Sequence, residues 1–198
     1  MTTNRTRRLM LFALLGLAAC GAGEPTRFYL LSSEAPVTAP VQSGPIVFVD
    51  QATIAPYLDR AQIGSRVSPD QVAFADTRTW AEPVTSMITR YVVDELGSRF
   101  GRDRVLETPA RRDLAPDFRV ALDVQRFDGD QAGAMVLDVR WTLLGGADDR
   151  FVATGRERIV EPAQDPASWD SRVAALGRAL GAFSHELAEA IKANSRTS

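Results

Sequence analysis

Two stretches of the chain alternate apolar and polar residues: Phe118, Val120, Leu122 and Val124 in one, and Met135, Leu137, Val139, Trp141 and Leu143 in the other. Their intervening positions carry Arg119, Asp123 and Gln125, and Asp138, Arg140 and Thr142. A period of two with one wet side predicts half-buried antiparallel strands, and Asp128-Gly129 supplies turn chemistry between them. After Gly145-Gly146 a third strand over residues 151–160 completes a meander. Upstream, shorter β-branched and aromatic runs predict strands at 27–31, 46–49, 71–75 and 105–106. Residues 32–45, with Pro36, Pro40 and Pro45, read as a loop.

The period changes at Trp80, Val84, Met87, Ile88, Tyr91, Val92, Leu96 and Phe100, where steps of three and four predict a helix over 80–100 with one wet face. Thr79 and Glu82 fit a capping box, whereas Pro83 suits the first helical position and would start the helix there. A second stripe, Trp169, Val173, Leu176, Leu180, Phe183, Leu187 and Ile191, predicts a helix over 168–193. The expected architecture is α+β: an antiparallel sheet with two long amphipathic helices packed on one face, as a single domain over residues 27–198.

Residues 1–19 belong to none of these elements. Arg5, Arg7 and Arg8 precede an 11-residue apolar run, Leu9 to Ala19. That is shorter than the roughly 20 apolar residues a spanning helix needs and reads as a secretory signal. Its end, Leu17-Ala18-Ala19-Cys20, resembles the bacterial lipobox, in which the cysteine is acylated and becomes the first residue after cleavage. Cys20 is the single cysteine among 198 residues, so an intrachain disulfide is excluded. Several acyl chains on one cysteine would anchor the protein firmly. Gly21 stands where an aspartate tends to retain lipoproteins on the inner membrane, which favours the periplasmic face of the outer membrane. Residues 20–26 form a short tether of at most about 25 Å.

Without the leader, 20 basic side chains face 25 acidic ones, a net charge near −5. That balance argues against nucleic acid or an anionic lipid surface as the main partner. Candidate chemistry is sparse. His185 is the one histidine, and His185-Glu186-Leu187-Ala188-Glu189 lacks the second histidine of a zinc-protease motif. Asp148-Asp149 reads as a charged turn, and neither Ser32-Ser33 nor Ser184-His185 forms a nucleophile arrangement. No metal site, cofactor or catalysis is expected.

One stretch remains unexplained by periodicity: Ile54-Ala55-Pro56-Tyr57-Leu58-Asp59-Arg60-Ala61-Gln62-Ile63-Gly64-Ser65-Arg66. Pro56 has no N–H to give a central ladder, so the strand must stop or reach an edge there. The stretch then reads as a corner, with Asp59 and Arg60 satisfying exposed backbone or pairing with Glu82 and Arg66. It also reads as a docking surface, because tyrosine and arginine are enriched at interface hot spots. Asp59 and Trp80 are expected to be structural and Tyr57 to be the contact residue.

This stretch, followed by Trp80-Ala81-Glu82-Pro83-Val84 and preceded by Phe28-Tyr29-Leu30-Leu31 and a lipobox, resembles the ABC-type transport auxiliary lipoproteins, the PqiC-like family. Ala61 departs from the family's usual proline, and Gly64 from its larger aliphatic residue. The resemblance implies an outer-membrane-anchored, periplasmic partner of an MCE-domain protein in an ABC-type lipid transport system, acting by contact and supporting membrane integrity. MCE partners form rings, which makes a homo-oligomer plausible. The alternative is an accessory lipoprotein for outer-membrane protein or lipopolysaccharide assembly. The residues expected to form the partner-binding or corner motif are Tyr57, Leu58, Asp59, Arg60, Gln62, Arg66, Trp80, Glu82 and Pro83, with lipidation at Cys20.

Overall fold

The structure, a computed structural model, describes residues 24–33, 44–109, 114–146 and 148–195. Cys20, the leader 1–19 and residues 34–43 of the proline-containing loop lie outside the described residues.

In chain order the elements are β1 (Arg27–Tyr29), β2 (Val47–Val49), β3 (Thr53–Ile54), a one-turn 3-10 helix (Pro56–Leu58), β4 (Gln62–Ser68), β5 (Gln71–Trp80), α1 (Val84–Phe100), β6 (Val105–Glu107), β7 (Phe118–Gly129), β8 (Met135–Gly145), β9 (Arg150–Glu161) and α2 (Trp169–Ser195). β7 is the spine. One of its edges carries β8, which in turn carries β9. Its other edge is shared in succession by β2 at residues 118–120, β3 at 123–124 and β4 at 129. β6 lies outside β2, β5 outside β4, and β1 outside β5.

The sheet is therefore mixed, which corrects the antiparallel expectation. The hairpins β4–β5, β7–β8 and β8–β9 are antiparallel, but β1 on β5, β2 on β6, and β2, β3 and β4 on β7 are parallel. Alternation of apolar and polar residues shows which side of a strand is wet, not its direction. Direction follows from the connections, and strands separated by long crossovers, such as β2 and β6 with α1 between them in sequence, are free to lie parallel.

The two helices divide the sheet between them, α1 against β2 and β6, α2 against β7, β8 and β9, and they also touch each other. Met87, Val92 and Leu96 of α1 and Leu176, Leu187 and Ile191 of α2 are fully buried in one core with Val47, Val120, Leu137 and Val139. The helices approach closely where α2 has glycine. The Tyr91 hydroxyl donates to the Gly177 carbonyl at 2.7 Å, and a Cβ at Gly181 would lie 3.4 Å from that hydroxyl.

Three local expectations are corrected. Trp80 ends β5 instead of opening the helix, because its N–H donates to the Ala61 carbonyl at 2.7 Å in sheet pairing. α1 begins after Pro83, with no side-chain cap, so Thr79 and Glu82 form no capping box. Asp128-Gly129 lie within β7, and the turn falls at residues 130–133. There the Asp130 N–H donates to the Ala134 carbonyl, the Asp130 carbonyl accepts the Gly133 N–H, the Asp130 side chain accepts the Ala134 N–H at 2.9 Å, and Gly133 takes φ +85°. A register shift between Val124 and Arg126 moves the alternation by one, so Phe127 faces the core and Asp128 the other side.

Candidate functional site

The corner is built from the backbone outward. β3 ends where the Ala55 N–H donates to the Val124 carbonyl, and Pro56 then opens the 3-10 turn, a position where its fixed φ and missing N–H are harmless. The turn closes through Leu58 N–H to Ala55 O at 2.9 Å and Asp59 N–H to Pro56 O at 3.3 Å. Leu58 pins it by burying its side chain, and Gln62 begins β4 opposite Thr79. The Trp80 indole stacks on Phe127 with centroids 5.9 Å apart. Ala81 N–H reaches the Tyr29 carbonyl, which brings β1 to the same place. The two stretches 54–66 and 80–83 thus meet in space.

Beneath the turn lies a fully buried carboxylate, Asp128. It accepts the Tyr57 hydroxyl at 2.6 Å, Arg126 Nη2 at 2.5 Å and Nε at 3.1 Å, and faces Arg66 Nε at 3.4 Å. The Arg66 guanidinium also lies 5.5 Å above the Tyr57 ring and donates to the Pro69 carbonyl at 3.1 Å. Burial, then the neighbouring Asp128, push the Tyr57 phenol up to about 12, so it stays protonated and donates. One anion held by two cations and a phenol, drawn from the turn, β4 and β7, locks three parts of the chain distant in sequence.

The structure places eight of the nine predicted residues in two groups. Tyr57, Leu58, Arg66 and Trp80 are buried or half-buried and hold the corner. Asp59, Arg60, Gln62 and Pro83 are exposed. Arg60 rests its guanidinium 4.4 Å over the Phe74 ring, while the Asp59 carboxylate has no hydrogen-bond or ion-pair partner among the described residues. Glu82 pairs with Arg90 at 2.8 Å on the surface and does not pair with Asp59 or Arg60. The anchoring expected of Asp59 belongs to Asp128, and Tyr57, expected as a contact residue, is the anchor's donor. Gly64 is small because the Phe74 ring lies over it: a Cβ there would meet that ring at 3.2 Å.

Asp128 and Arg126 were not among the candidate residues. The signal for them was the break in alternation between Val124 and Phe127, which marks a bulge and turns an apparent turn aspartate into a buried one. Beside this cluster, across β8 and β9, Asp138 is also buried and binds Arg156 through two 2.8 Å bonds, which hold its carboxyl below the ordinary 3.8.

Elsewhere His185 is exposed on α2. Among the described residues no cluster of three or more His, Cys, Asp or Glu could hold a metal, and no helix is long and apolar enough to cross a membrane.

The sequence matches, over residues 29–188, a family described as the ABC-type transport auxiliary lipoprotein component. Among solved structures, an uncharacterised protein superposes with a TM-score of 0.70 at 20% identity, covering 85% of this chain and 99% of its own. A protein from Xanthomonas campestris superposes with a TM-score of 0.65 at 24% identity, covering 81% of this chain and 92% of its own. These two share the fold. No curated protein matches the sequence.

Proposed function

This chain belongs to the ABC-type transport auxiliary lipoprotein family, and from that premise we propose that it is an outer-membrane-anchored, periplasm-facing subunit of an MCE-type ABC lipid transport system, working by protein contact. The observation that carries the docking part of this reading is the corner. Its core is locked through Asp128, so Asp59 and Arg60 after the turn and Gln62 at the start of β4 are presented on a corner whose shape does not have to be organised on binding. An arginine already laid on an aromatic ring loses little side-chain freedom when it is buried in an interface. Lipidation at Cys20 supplies the membrane attachment, and the partner is the MCE-domain protein of the transporter.

A photo-crosslinking residue at Arg60 or Gln62 in the full-length lipoprotein tests the contact in cells. The expected product is an adduct with the MCE-domain protein, absent when the crosslinker sits at exposed Glu186 of α2. Adducts solely with outer-membrane assembly proteins would replace this reading with the alternative one. Fractionation of Cys20→Ser tests the anchor: the variant is expected to stay folded and leave the outer-membrane fraction.

A further inference from the structure

We propose that the β1 edge is a membrane-docking edge, with Phe28 and Leu30 entering the interface of the same leaflet that holds the acyl chains on Cys20. The proposal rests on the lipoprotein reading and adds to it how the domain sits on its membrane.

Phe28 and Leu30 are 70% and 49% exposed, the two large apolar side chains that project beside the tether. They are separated by one residue and so share a side of the chain, while Tyr29 and Leu31 turn inward, Leu31 to 6% exposure. Among the described residues β1 is an edge strand, paired to β5 alone. Among the described residues the remaining exposed large hydrophobics, Val67, Phe151 and Val160, lie on other strands.

The tether identifies what covers this pair. Arg78, itself 8% exposed on β5, forms an ion pair with Glu24, and from Arg27 the chain pairs with β5, so the chain lies along this edge from residue 24 onward. Only four residue steps separate Glu24 from Cys20, a reach of at most about 14 Å. The headgroup zone beyond the hydrocarbon is itself about 5–8 Å deep on each side. An acylated Cys20 therefore holds the β1 edge at the bilayer surface. An exposed aromatic and an exposed leucine are the side chains that gain from that position, and Arg27 beside them can keep its guanidinium among the headgroups.

Because Cys20 is the sole cysteine and its sulfur is acylated in the mature lipoprotein, an introduced cysteine is the single labelling site. Phe28→Cys, Leu30→Cys, Val67→Cys and Phe151→Cys, each in the full-length acylated protein and labelled with NBD, are reconstituted into phosphatidylethanolamine–phosphatidylglycerol vesicles containing doxyl-labelled lipid. All four positions are exposed, so the substitutions leave the core intact. The expected result is co-flotation of all four proteins, with blue-shifted, doxyl-quenched emission at 28 and 30 and water-like emission at 67 and 151. Co-flotation with water-like emission at 28 and 30, or quenching at all four alike, overturns the proposal and leaves the anchor standing. Loss of co-flotation overturns the anchor and the proposal together.

Discussion

Replacing Tyr57 by phenylalanine removes one oxygen and leaves the ring that Arg66 covers. The lost group donates at 2.6 Å to Asp128, a carboxylate with no exposed surface, so no water takes its place without reorganising the turn. A hydrogen bond to a buried charge contributes about 1.5–3 kcal/mol. Arg66 and Arg126 continue to hold the carboxylate, which puts the expected loss near the lower end, about 2 kcal/mol. For a protein of this size that lowers Tm by about 4–8 °C. Asp59→Ala, made in parallel, is expected to stay within about 0.5 kcal/mol of the wild type, because nothing among the described residues binds that side chain.

The pH dependence adds a second readout from the same pair. The folded phenol titrates above its unfolded value, so the stabilisation is fully present below pH 10 and is lost as pH rises towards about 12. Urea unfolding followed by tryptophan emission should therefore show a gap between wild type and Tyr57→Phe that is constant below pH 10 and closes above it. A Tyr57→Phe protein that melts with the wild type at neutral pH, or an Asp59→Ala protein that melts well below both, would refute the assignment of the corner's anchor to Asp128.

Two further substitutions probe the rest of the sheet. Asp138→Asn should cost about 1 kcal/mol, modest because Arg156 is largely solvated, and since the Asp138 carboxyl is held below the ordinary 3.8, that gap is present above this pH and shrinks as pH falls below it; chemical denaturation in acid buffers checks both. Gly155→Ala places a Cβ 2.6 Å from the Trp141 indole on the neighbouring strand, and should cost about 1–3 kcal/mol and shift tryptophan emission, measured by denaturation and fluorescence.

The long elements were legible because their periods are local. Steps of three and four along residues 84–100 and 169–191, and the alternation in β7, β8 and β9, each follow from the face that meets the core. What lay hidden depends on partners far along the chain. Trp80 stands four residues before Val84 and so fits the helical stripe, yet its N–H is claimed by Ala61 across the sheet. β4 carries Gly64 and several polar residues, so no period marks it, and its pairing with β5 extends that strand past the expected residue 75. The exchange of roles between Asp59 and Tyr57 has the same origin. Both lie in the same short turn, and what separates them is Asp128, which is 71 residues from Tyr57 and reaches it only because β3 and β4 both pair with β7.

Affinity purification of the full-length lipoprotein from native membranes tests most directly whether it serves a transporter by contact. The MCE-domain protein, the permease and the ATPase are expected to co-purify with the wild type. They should be depleted about tenfold or more from Arg60→Ala, a loss of about 1.4 kcal/mol or more in capture, while that variant melts like the wild type. Recovery of the lipoprotein without any transporter subunit, or capture unchanged by Arg60→Ala, would contradict the account.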